Sequence, residues 1–154
     1  MKAFGIAVAM LLMSVGAARG QVPPQQWVII DLREDRVTAY DSSGIRELGN
    51  VRRGWYIIIN RVTDEQGGDY SLNNFDLDCV EETFRLRTIA LFKADGSSVE
   101  TFRPESPGVA IIPGSGGALL SYALCDGGNV GDPIPRTVAD FVADTRDYLN
   151  GEPP

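Results

Sequence analysis

Cys79 and Cys125 are the only cysteines in the 154 residues, and histidine is absent. The missing imidazole removes Ser-His-Asp and Cys-His nucleophile systems, together with the commonest transition-metal ligand. Cys79 lies in FDLDCVEETFRLRTIALFKADG (75–96). A cysteine reacts as its thiolate, which needs a cationic neighbour. Cys79 instead has Asp78, Glu81 and Glu82 beside it, and these disfavour the anion. The 45 residues between the two cysteines exclude a CxxC redox motif. In an oxidising compartment two such cysteines pair. A structural disulfide Cys79–Cys125 is therefore expected, and no catalytic cysteine.

Other stretches invite chemistry less. PGSGGALL (113–120) has the outline of a glycine-rich phosphate cradle opening a helix. It lacks the lysine and hydroxyl residue of a P-loop and does not match GxGxxG. The plainer reading is a helix capped by Ser115, with glycines allowing close approach to a sheet. Asp64, Glu65 and Asp69 match no EF-hand spacing, so a solvated loop is expected, with no metal and no cofactor. Arg85 and Arg87 share a strand face. They either meet an acidic partner or, more plainly, pair with acids on neighbouring strands. Trp27 and Trp55 sit in strand patterns and are expected in the core; exposed, either would mark a binding surface.

The compartment is read from the N-terminus. MKAFGIAVAMLLMSVGAARGQ has one lysine, an apolar run over 3–15, and small residues at Ala18 and Gly20 before Gln21. This is the pattern of a secretory signal peptide over 1–20, with an apolar run short for a membrane span. No cysteine stands near the cleavage point to take a lipid anchor. Cleavage takes the net charge from −7 to −9, because two of the 14 basic residues and none of the acids lie there. A chain so acidic repels nucleic-acid phosphates and anionic lipid. An exported protein, periplasmic or extracellular, is expected, with no nucleic-acid partner and no membrane association after cleavage.

The elements that must position these residues follow from periodicity. After a disordered leader (21–26), strands are expected at WVIIDLR and RVTAYD, joined as a hairpin, and at VRRGWYIIINRV, where Gly54 is expected to mark a bulge. YSLNNFDLDC reads as an irregular strand. ETFRLRTIALFKA alternates throughout, with Phe84, Leu86, Thr88, Ala90 and Phe92 on one face. Asp95-Gly96 turns the chain into VETF. SGGALLSYALC reads as a short helix and 126–135 as a linker. RTVADFVADTRDYLN (136–150) reads as an amphipathic helix with Pro135 near its first turn and Gly151 at its stop. Strands followed by helices indicate α+β, an antiparallel sheet of about six strands with a disulfide-tethered short helix and an extra C-terminal helix.

Trp27, YDSSGIRELGNVRRGWYIII, Ser71, Asp78-Cys79, Arg85, IALFKADG, PGS at 113–115 and Cys125 form an ordered set of weak signals over about 27–125. In order and spacing this set resembles the surface-adhesin protein E family of bacteria. The resemblance implies a small antiparallel sheet with a helix tethered by a disulfide, on exported bacterial proteins. In the namesake it implies adhesion to host matrix and serum proteins. The function expected is thus a non-enzymatic binding domain for a protein partner, with Arg85 and Arg87 as candidate contacts. The alternatives are a periplasmic accessory domain without a host ligand and a hydrolase using two carboxylates distant in sequence.

Overall fold

The computed structural model describes residues 23–105 and 107–151. The expected signal peptide lies outside the described residues. Among the described residues nine strands form one antiparallel sheet, with an α-helix on each face. In chain order the strands are β1 (Gln25–Leu32), β2 (Arg36–Asp41), β3 (Arg46–Leu48), β4 (Val51–Asn60), β5 (Tyr70–Asp78), β6 (Thr83–Phe92), β7 (Ser98–Phe102), β8 (Val109–Ala110) and β9 (Ile134–Arg136). Helix α1 spans Gly116–Leu124 and α2 spans Val138–Asn150. The sheet order is β7-β6-β5-β4-β2-β1-β9, with β3 added to β4 and β8 to β6.

The six expected strands are present, and β3, β8 and β9 raise the count to nine. The additions are two or three residues long, too short for an alternation to show in sequence. Gln25 and Gln26, expected in the leader, already belong to β1 and pair with Arg136 and Pro135. Part of the expected linker is therefore β9, an edge strand where a proline is tolerated. Pro135 is accordingly in the sheet. Helix α2 starts instead from Thr137, whose side chain accepts a hydrogen bond from the Asp140 amide, and it stops at Gly151 with φ +78°.

Each helix seals a different core. On one face Trp27, Ala39, Ile57, Ile59 and Tyr70 pack with Phe141 and Val142 of α2. Trp27 and Phe141 stack at 5.3 Å between ring centroids. On the other face Val28, Tyr40, Phe75 and Leu77 pack with Leu120 of α1. The C-terminal helix is thus part of the domain, which runs from β1 to α2 without a break at Cys125. Tyr148 of α2 is exposed.

Two irregularities differ from expectation. Register shifts lie in the β1–β2, β6–β7 and β5–β6 ladders, and in the last Asn74 pairs with Thr88 but Phe75 pairs with Leu86, leaving Arg87 as the extra residue. Alternation along β6 therefore breaks at Arg87. Phe84 packs in the α1-side core and Phe92 in the α2-side core. Gly54 is no bulge, since β4 keeps register with β5 across it. A Cβ there would collide with the Ile45 side chain and crowd Phe75, so close approach explains the glycine.

A candidate interaction face

Helix α2 covers only part of its face of the sheet. On β4 its cover reaches Ile59 and Ile57. Trp55, two residues further along the same face, is 39% exposed. This corrects its expected place in the core. Its ladder neighbour Asn74, itself paired with Thr88, donates a hydrogen bond to the Gly54 carbonyl at 2.9 Å.

The next cross-strand row holds Arg53, Asp76 and Arg85 on β4, β5 and β6. Arg53 donates two hydrogen bonds to the Asp76 carboxylate, at 2.6 and 3.0 Å. Arg87 donates a third at 3.0 Å, from the strand face it shares with Arg85 two residues before it. Burial pulls the Asp76 carboxyl upward, but the bonds and charges of Arg53 and Arg87 outweigh it and hold its pKa below the ordinary carboxylate value.

Pairing with neighbouring acids thus accounts for Arg87 and not for Arg85. The Arg85 side chain is exposed and makes no hydrogen bond or ion pair among the described residues. Both Asp76 oxygens are already taken by its neighbours. With Arg103, Pro104, Glu105 and Pro107, these two arginines line a recess of about 480 Å³. It holds one carboxylate, Glu105, among the described residues. Arg46 on β3, opposite Arg53, extends the basic character of the face. A strongly acidic chain therefore places Arg46, Arg53 and Arg85 in the cross-strand row next to that of the exposed Trp55, with Arg85, Arg87 and Arg103 lining the recess. Sequence alone identified Arg85 and Arg87 but missed Arg53 and Asp76; the Arg-Arg-Gly-Trp run 52–55 was the available signal.

The other sequence candidates have structural roles. Cys79 follows β5 and Cys125 caps α1, and they form a disulfide with Cα atoms 5.5 Å apart. Asp69, expected in a solvated loop, is buried. It accepts hydrogen bonds from the Thr63 hydroxyl at 2.7 Å and the Ala94 amide at 2.8 Å, and it faces Arg146 of α2 at 3.4 Å. Burial raises its carboxyl, but these bonds, with Arg146 and Lys93 nearby, bring the pKa below the ordinary value. Asp64 accepts from the Gly68 amide at 2.7 Å. Among the described residues no cluster of His, Cys, Asp and Glu is placed to hold a metal ion. Among them, too, no helix is long and apolar enough to cross a membrane.

Comparison with family models, with curated proteins and with solved structures finds no match.

Proposed function

We propose that this chain is an exported, non-enzymatic binding domain that takes an acidic segment of a protein partner on the open half of its α2-side face. The observation that carries this reading is Arg85. It is an exposed guanidinium with no partner among the described residues, on a rigid strand beside one already fixed by Asp76. Trp55 supplies the apolar anchor on the same face. Arginine and tryptophan are the residue types that most often dominate binding energy at protein interfaces. The planar guanidinium suits a carboxylate bidentately. The disulfide and the sequence pattern of the N-terminus support export. The residues shared with the surface-adhesin protein E family support a binding role on or near the bacterial surface.

The test is a pull-down with the disulfide-bonded protein and its Arg85→Glu variant, combined with fractionation of the producing cell. Retention of a partner by the native protein and its loss in the variant supports the reading. Equal retention by both places binding elsewhere. A purely periplasmic location excludes direct adhesion to a host and leaves an envelope partner.

A further inference from the structure

Helix α2 shows solvent the complement of the arginine–tryptophan face. Phe141, Val142, Thr145 and Leu149 turn inward. Helical spacing then puts Asp140, Asp144 and Asp147 on the outer side, with Ala139 and Ala143 exposed beside them. Asp140 accepts from the Thr137 hydroxyl at 2.7 Å, and Asp144 from Arg136 at 3.0 Å. The Asp147 carboxylate has no hydrogen bond or ion pair among the described residues. It stands in the last turn, where the helix carries no basic residue and the negative end of the dipole disfavours an acid. An isolated copy gains nothing from an acid at this place.

Arg85 is its counterpart, a guanidinium without a partner among the described residues on the same side of the sheet. Its cross-strand row sets Arg46, Arg53 and Arg85 against Asp76 alone. The shapes match as well. A helix is about 10 Å thick, so α2 is a ridge and the uncovered half of the sheet beside it is a shelf. A two-fold axis lying in this face, along the border of ridge and shelf, lays the helix of a second copy on the shelf of the first. The same rotation lays the first copy's helix on the second shelf, so the match is made twice.

Resting on the binding role proposed for this face, we infer that the acidic segment it takes is helix α2 of a second copy of this chain, in a two-fold dimer. The outward acids of each helix meet Arg85 and its neighbours on the other copy, and Ala139 and Ala143 leave room for Trp55. The net charge of −7 opposes self-association at long range. Screening beyond about 8 Å at physiological salt leaves the local match to decide. A foreign partner for the face competes with the dimer.

The experiment is sedimentation velocity of the disulfide-bonded protein over a concentration series reaching the millimolar range. A reversible dimer is expected. Arg85→Glu, and separately Asp144→Lys combined with Asp147→Lys, set like charges together and should each weaken the dimer about tenfold or more. An equimolar mixture of the two variant proteins should associate again, because each supplies the charge that the other has inverted. Arg36→Ala, on the α1 side of the sheet with Tyr56, should leave the dimer unchanged. Melting temperatures near the native one exclude unfolding as the cause of any loss. A monomer at every concentration, a dimer unchanged in both charge variants, or a mixture that fails to associate overturns the inference. A monomer that still captures a partner through Arg85 leaves the binding role of the face standing. A dimer lost in both variants, with no other protein captured, upholds the inference and confines the face to self-association.

Discussion

Arg53 and Asp76 face each other across β4 and β5, joined by two parallel hydrogen bonds of 2.6 and 3.0 Å. Arg87 adds a third bond to the same carboxylate. The Asp76 side chain is 16% exposed, whereas those of Arg53 and Arg87 are 35% and 39% exposed. Solvent screening therefore discounts the interaction. Asp76→Asn is expected to cost about 1 kcal/mol near neutral pH, measured by urea denaturation.

The same carboxylate, with Asp69, sets an acid limb of stability. Both have folded-state pKa values below the ordinary one, so the folded protein releases these protons more readily than the unfolded chain. Their contribution is complete above the unfolded value of about 3.9 and is lost as pH falls through the lower folded values. Denaturation midpoints of the native protein should fall steeply below about pH 4. The deficit of Asp76→Asn should shrink over that range. A constant deficit down to the lowest pH would contradict the pairing.

The disulfide joins residues 46 apart in sequence. A loop of that length corresponds to about 4 kcal/mol in the chain-entropy account. The Cys79→Ser, Cys125→Ser double variant should lose stability of that order, with the earliest loss of amide protection in α1. The native protein should show no alkylatable thiol unless reduced.

Phe141 tests whether α2 belongs to the domain. Its ring is buried on Trp27, so Phe141→Ala should cost about 3–5 kcal/mol and shift Trp27 fluorescence. A helix that merely trailed from the sheet would tolerate the change with almost no effect. Gly54→Ala makes a matching test on the other face. Its methyl meets Ile45 and Phe75, and overpacking of this kind costs about 1–3 kcal/mol.

The six longer strands, both helices and the cysteine pairing were legible in sequence, because β-branched runs, turn dipeptides and capping residues are local signals. Three things were not. Alternation along β6 gave no sign of the bulge, since Arg87 as an extra residue depends on its pairing with β5. Trp55 looked like core because β-strand periodicity identifies a face but does not reveal how far along the strand a helix covers it. Asp69 looked solvated because its partners Ala94 and Arg146 come from distant parts of the chain. At the candidate face, Arg85 and Arg87 could be placed together in advance. Their different fates required the position of Asp76.

The central claim concerns the face that holds Trp55 and Arg85, and the affinity of the captured partner tests it most directly. Arg85 is exposed, so Arg85→Glu should change stability by no more than about 0.5 kcal/mol, whereas Trp55 is 39% exposed and Trp55→Ala should cost about 1–3 kcal/mol while leaving the protein folded. Each should weaken binding about tenfold or more, with Arg36→Ala on the opposite face as the unaffected control. Affinity unchanged in both folded variants would contradict the account.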